Sequence, residues 1–158
     1  MVEAERLALY GSLMRGLPDE HGGATADLLD TLGVGAGLRR VGGCRIPGVL
    51  YDLGDYPALR PAERATDLVC GEVHAVLDPR VLDVLDEFEG FDPRDPAGSA
   101  YRREWLALAD PRGAGAWVYV FNRAPDPEWR IASGDWRTHL AQRATSPHAP
   151  GSSRMKGA

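Results

Sequence analysis

Glycine dominates one segment of this chain, between positions 33 and 54. Seven glycines fall there: Gly33, Gly35, Gly37, Gly42, Gly43, Gly48 and Gly54. Because each glycine costs roughly 1 kcal/mol relative to alanine inside a helix, a long helix is excluded from this stretch. The short apolar runs between the glycines, residues 38–41, 44–46 and 49–53, are therefore predicted to be strands, with Pro47-Gly48 as a turn between the last two.

The clearest strand pattern covers residues 68–77. Val69, Val73 and other apolar residues alternate there with Glu72 and His74, which predicts a half-buried strand whose polar face carries Glu72 and His74. Residues 6–10 are a short apolar run followed at once by Gly11, which indicates a buried strand ending in a tight loop. Residues 101–109 and 116–121 are predicted to be two strands joined by a turn at 110–113.

Three helices are predicted, two of them from their capping residues. Asp78 is a suitable N-cap and Pro79 suits the first helical position, so one helix follows and runs to about Glu89. A second is predicted over residues 24–32 with Thr25 as N-cap, and a third over residues 135–143. Many short strands with three modest helices predict an α+β fold with a curled or barrel-like sheet.

The length of 158 residues fits a single domain, which we place at residues 1–143. Residues 144–158 are rich in Ser, Pro and Gly, and we expect them to form a disordered tail. A net charge of −5 provides no general attraction to phosphate backbones, so nucleic acid is not an expected partner. No apolar segment approaches the roughly 20 residues that span a bilayer.

We expect a cytoplasmic protein, because the first residues carry Glu3 and Glu5 and not a basic stretch before a long apolar one. Cys44 and Cys70 are then reduced packing residues. A metal site is not expected, since the four histidines, His21, His74, His139 and His148, share no ligand spacing with each other or with the cysteines.

Glu89 is the one acid of the helix after Pro79 that the pattern directs inward. At about 100° per residue from Val81, Leu82 lies near 100° and Glu89 near 80°, within the apolar stripe. Asp83, Asp86 and Glu87 lie near 200°, 140° and 240°, on the side predicted to face water. A desolvated carboxylate has a raised pKa and suits general acid/base catalysis. Alternatively, Glu89 turns out to water at the helix end or pairs with an arginine such as Arg102.

The loop Tyr10-Gly11-Ser12-Leu13 is the second candidate site. Successive backbone N–H groups in such a loop can form an anion-binding concavity, and glycine lets a ligand approach the backbone closely. The simpler interpretation is an ordinary chain reversal. Tyr101 and Tyr119, in the predicted strand pair after Glu89, could line the same pocket, because a phenol offers a ring face and a hydrogen bond.

Several motifs, taken in order, resemble those of the γ-glutamylcyclotransferase-like (AIG2-like) family. They are Leu9-Tyr10-Gly11-Ser12-Leu13 with Gly16, residues 48–54 with Tyr56-Pro57-Ala58, Gly71-Glu72-Val73, residues 85–90, and Tyr101-Arg102-Arg103. The resemblance implies a compact α+β fold with a small mixed β-barrel, flanking helices and a pocket between the first loop and the end of the Glu-bearing helix.

The same resemblance implies site residues and a reaction. Glu89 corresponds to the family's acid/base, Tyr10, Gly11, Ser12 and Leu13 to the loop that holds a γ-glutamyl group, and Tyr119 to a further substrate-binding residue. The implied substrate is a small γ-glutamyl amide, whose α-amine attacks its own γ-carbonyl to give 5-oxoproline and a free amine. No cofactor is required. A binding module without turnover, or a hydrolase that releases glutamate, remains an alternative.

Overall fold

A strand buried on both faces runs through the middle of the sheet. The structure is a computed structural model that describes residues 5–18 and 27–145. Its elements are β1 (Arg6–Leu9), α1 (Leu28–Thr31), β2 (Leu38–Pro47), β3 (Val49–Asp52), β4 (Pro57–Arg60), β5 (Leu68–Val76), α2 (Arg80–Phe88), β6 (Tyr101–Ala107), β7 (Gly115–Phe121) and α3 (Trp136–Thr145). The fold is α+β, as predicted.

Five strands form a mixed sheet in the order β2-β5-β1-β7-β6. β1 pairs antiparallel with β5 and parallel with β7, and its residues Leu7, Ala8 and Leu9 are all buried. A strand covered on both faces needs an uninterrupted apolar run, which this segment supplies. The loop that begins at Tyr10 therefore leaves from the interior of the sheet.

The sheet curls but does not close into a continuous barrel. One isolated bridge links edge strand β2 to the segment that follows β6: the Arg45 N–H donates to the Asp110 carbonyl at 2.8 Å, and the Ala109 N–H donates to the Arg45 carbonyl at 2.9 Å. Strands β3 and β4 form a separate two-stranded hairpin. The Arg60 guanidinium ties this hairpin to the sheet by donating to the Phe121 carbonyl at 2.7 Å.

Helix α3 fastens the same hairpin from the other side. His139 Nε2 lies 2.7 Å from Oδ2 of Asp52, which is buried at the end of β3. Arg143 donates to the Gly54 carbonyl at 2.7 Å. Trp136, the first residue of the helix, is buried in the core. Within the described residues, no helix is long and apolar enough to cross a membrane.

Two boundaries differ from those predicted. The predicted strands at 38–41 and 44–46 form one continuous strand, β2. A register shift between Arg40 and Gly42 leaves Val41 outside the ladder, and Val41 is therefore 54% exposed. Helix α1 begins at Leu28, after an extended Asp27 whose carboxylate accepts from the Leu29 N–H, so the predicted start at residue 24 is wrong. The proposed cap Thr25 and residues 146–158 lie outside the described residues.

His74 is buried, contrary to the prediction that it faces water. Only 2% of the residue is exposed. β5 is an interior strand of the sheet. The face that carries Glu72 and His74 is covered by the loop after β1 and by helix α3. Arg137 of α3 joins these parts, because it donates to the Glu72 carboxylate and to the Gly16 carbonyl. Burial lowers the pKa of His74. The alternating pattern could not reveal this second layer of packing.

Gly71→Ala should destabilise the protein, because a Cβ there would lie 2.8 Å from the backbone oxygen of Leu9 and 3.0 Å from Ile46 Cδ1. We expect a loss of about 1–3 kcal/mol in the free energy of unfolding, measured by chemical denaturation. Gly42→Ala, where nothing lies within 4 Å, is the matched control and should change stability by less than about 1 kcal/mol. Equal losses in both variants would show that steric contact with β1 is not the cause.

Candidate active site

Four parts of the chain meet at one small pocket: the loop after β1, the β3–β4 hairpin, the end of α2, and strands β6 and β7. The non-atom space of the pocket is about 330 Å³, which includes open solvent at its mouth. The lining residues are Ala8, Leu9, Tyr10, Gly11, Ser12, Leu13, Tyr56, Pro57, Glu89, Tyr101 and Tyr119. All six residues predicted as site residues from the sequence, Tyr10, Gly11, Ser12, Leu13, Glu89 and Tyr119, therefore line the same pocket.

Glu89 is the acid of this pocket and sits where α2 ends. Gly90 follows with φ of 69°, a left-handed conformation that ends the helix at low cost. Within residues 5–18 and 27–145, the Glu89 side chain makes no hydrogen bond or ion pair. Burial raises the pKa of Glu89 from 4.5 to about 8. The alternative pairing with Arg102 is not seen, because Arg102 lies 3.1 Å from Glu104.

Three buried phenols on the pocket wall direct their protons away from Glu89. The Tyr10 hydroxyl donates to the Tyr119 carbonyl at 2.6 Å, and the Tyr101 hydroxyl donates to the Pro57 carbonyl at 2.8 Å. The Tyr119 hydroxyl donates to Oδ1 of Asp86 at 2.8 Å. Burial and the negative charge of Glu89 both raise the pKa of all three phenols, so they remain protonated.

The loop Tyr10 to Leu13 is a tight turn pressed against the hairpin. The Met14 N–H donates to the Gly11 carbonyl at 3.0 Å. A Cβ on Gly11 would lie 2.6 Å from Cγ of Pro57, so this close approach requires glycine. Leu13 is buried, and Gly16, with φ of 65°, lets the chain bend again.

Asp86 is a residue of this region that the sequence interpretation missed. It was predicted to face water, yet only 5% of it is exposed. Besides the Tyr119 hydroxyl, it accepts from Arg103 Nε at 2.7 Å and from Arg103 Nη2 at 3.2 Å. The prediction was wrong because β6 and β7 cover more of α2 than its apolar stripe indicates. Its position at about 140°, beside that stripe, was the available signal.

Comparison with known proteins identifies the family. Residues 7–138 match the family model described as gamma-glutamyl cyclotransferase, AIG2-like. The chain belongs to this family. The gamma-glutamylcyclotransferase family protein YtfP of Escherichia coli K12 is 30% identical over 131 residues, which cover 83% of this chain and 95% of that protein.

Solved structures with the AIG2-like fold agree. Protein PH0828 from Pyrococcus horikoshii superposes with a TM-score of 0.62 at 21% identity, covering 92% of this chain and 100% of that one. An AIG2-like protein from Mus musculus has a TM-score of 0.59 at 20% identity, with 93% of each chain covered. At these identities the likeness establishes the fold alone.

The predicted site residues line one pocket, and their functional roles stay predictions. Tyr101 lines the pocket, as the sequence suggests, and Tyr56 and Pro57, from the hairpin motif that carries the family resemblance, join the predicted set. Cys44 and Cys70 are free and on adjacent strands. No group of three potential metal ligands occurs among the residues that the structure describes, and His21 and His148 lie outside them.

The pKa of Glu89 makes stability depend on pH. The folded chain holds the Glu89 proton up to about pH 8, whereas the unfolded chain loses it near its ordinary pKa of 4.5. The stability contributed by the neutral carboxyl is therefore full below that lower value and is lost as the pH rises through the folded pKa. Glu89→Gln, neutral throughout, should gain at least about 1 kcal/mol relative to the parent between about pH 5 and about pH 9.

Thermal and chemical unfolding at the two pH values measure this difference. Glu87→Gln on the exposed face of α2 is the matched control and should show no such gain. A Glu89→Gln variant whose stability relative to the parent is the same at both pH values would contradict a raised pKa.

Proposed function

We propose that this chain is a γ-glutamyl cyclotransferase acting on a small γ-glutamyl amide. The observation that carries the proposal is Glu89, a carboxyl with a pKa of about 8 and no partner among the described residues, in one pocket with the backbone of Gly11 and Ser12. Family membership and the name of the Escherichia coli relative support the same class of reaction.

In the proposed reaction the α-amine of the γ-glutamyl group attacks its own γ-carbonyl carbon. The new C–N bond closes a five-membered ring, and the original amide C–N bond breaks to give 5-oxoproline and a free amine. The substrate ammonium must lose a proton before attack, and the departing amine must gain one. Glu89 can perform both transfers, because its pKa lies close to neutral pH, where general acid/base catalysis is most efficient.

The loop Tyr10 to Leu13 is the proposed holder of the γ-glutamyl group. Its backbone N–H groups can bind carbonyl or carboxylate oxygens and stabilise the negative charge that develops on the γ-carbonyl oxygen. Because the attack is intramolecular, holding the glutamyl chain in a folded conformation supplies much of the remaining rate. No cofactor takes part in this scheme.

A binding module without turnover is the main alternative, and Glu89 argues against it. A desolvated acid with no hydrogen bond or ion pair among the described residues lowers stability whenever it ionises. A proton transfer by Glu89 during a reaction would explain why the chain has an acid at this position despite that cost.

A panel of γ-glutamyl amides, varied in the leaving amine, tests the proposal. The protein should release 5-oxoproline, detected by mass spectrometry, and kcat/KM should rise as the pH approaches about 8, because Glu89 must be ionised to accept a proton. Glu89→Gln should reduce kcat by roughly 10²–10⁴-fold. Glu87→Gln, two residues away and exposed, should retain the parent rate. Full activity in Glu89→Gln would refute the proposed role.

Ser12→Ala distinguishes cyclisation from hydrolysis by a serine nucleophile. In the cyclotransferase scheme Ser12 contributes its backbone, so the variant should keep kcat within about tenfold of the parent. The acid product should remain 5-oxoproline. Free glutamate as the product of the parent, together with loss of activity by more than about 10³-fold in Ser12→Ala, would favour a hydrolase instead.

A further inference from the structure

Asp86 connects the pocket to a buried ion pair behind it. Its Oδ1 accepts from both the Tyr119 hydroxyl and Arg103 Nε, and its Oδ2 accepts from Arg103 Nη2. The guanidinium of Arg103 also lies over the Trp117 ring, 4.4 Å from its centroid. Arg103 and Tyr119 are direct cross-strand partners on β6 and β7. The carboxylate therefore fixes the Tyr119 side chain from behind.

Asp86 also determines where the Tyr119 proton points. A phenol has one proton to donate and lone pairs that accept. An ionised carboxylate held by Arg103 is a stronger acceptor than a neutral group, so the Tyr119 proton stays on the Asp86 side. The hydroxyls of two other phenols in the pocket also donate to acceptors in the protein: Tyr10 donates to the Tyr119 carbonyl and Tyr101 to the Pro57 carbonyl.

We propose that Asp86 is a positioning residue of the active site: it takes the hydrogen bond of the Tyr119 hydroxyl and leaves the Tyr119 oxygen as an acceptor for the substrate's α-ammonium. This inference rests on the proposed function for the identity of the ammonium. The substrate nitrogen then lies between the Tyr119 oxygen and the carboxylate of Glu89, two groups that attract a cation and can accept its protons.

The arrangement has a second effect on Glu89. Without the Asp86 acceptor, the Tyr119 hydroxyl can turn its proton into the pocket, toward the Glu89 carboxylate that lines the same pocket. A hydrogen bond to the charged form lowers the pKa of an acid and weakens it as a base. The groups that face Glu89 across the pocket are the phenols of Tyr10, Tyr56, Tyr101 and Tyr119. Asp86 is faced by Arg103 and Tyr119.

A double-mutant cycle tests this role in the full-length chain. Asp86→Leu combined with Arg103→Met removes the ion pair without leaving a buried charge, a replacement that proteins often tolerate. The pKa of Glu89 is measured by NMR titration of its ¹³C-labelled carboxyl, assigned by its absence in Glu89→Gln. Removing the pair should lower this pKa by about one unit, and by much less when Tyr119→Phe is also present.

Equal shifts with and without the Tyr119 hydroxyl, or no shift in either background, would overturn the proposal, because a merely structural ion pair acts independently of that hydroxyl. If the pair-deleted chain does not fold, Asp86→Asn gives the same comparison, with a smaller shift expected in the same direction. The titration needs no turnover. An inactive parent protein that still shows the coupling would therefore count against the proposed function and not against the positioning of Tyr119.

Kinetics test the substrate contact itself. Tyr119→Phe should raise KM for a γ-glutamyl amide by roughly tenfold or more, since a hydrogen bond to a charged group is lost. KM for the pair-deleted variant should rise similarly. An unchanged KM in Tyr119→Phe would refute the contact with the ammonium.

Discussion

The burial of β1 on both faces is the constraint on which the pocket depends. Because β1 pairs with β5 on one side and β7 on the other, its backbone cannot shift without disturbing the whole sheet. The Tyr10 loop therefore starts from a strand that is paired on both sides, and β7 carries Tyr119 beside it. The proposed function requires the site to hold a flexible glutamyl chain in one conformation, and a rigid support suits that task, since misplacement by even 1 Å is costly to catalysis.

The polar side chains of the pocket differ in whether they have hydrogen-bond partners in the protein. Each of the phenols of Tyr10, Tyr101 and Tyr119 donates to an acceptor in the surrounding structure, as buried hydroxyls require. Glu89 has no such partner among the described residues, and burial raises its pKa accordingly. The fold tolerates this carboxyl without a partner because it can hold a proton near neutral pH. The instability and the proposed chemistry have the same physical origin.

The sequence predicted local features better than long-range ones. Gly90 and the apolar stripe of α2 identified Glu89, because helix periodicity and helix termination are local properties. Asp86 and His74 were misassigned for one reason: periodicity assumes that an element has a single buried face. α2 packs against β6 and β7 beyond its apolar stripe, and β5 is covered on both sides. Such second layers depend on contacts between residues far apart in the chain, which a pattern within one segment cannot encode.

The hairpin of β3 and β4 provides Tyr56 and Pro57 to the pocket wall, yet α3 is one of the elements that hold it in place through Asp52 and Gly54. On the ribosome, every pocket-lining residue is synthesised before residues 136–143, because all of them precede α3 in the chain. The nascent chain can therefore pair its sheet while this clamp on the hairpin wall is still missing. Completion of the hairpin wall therefore follows synthesis of the sheet, which separates formation of the sheet from formation of a finished binding site.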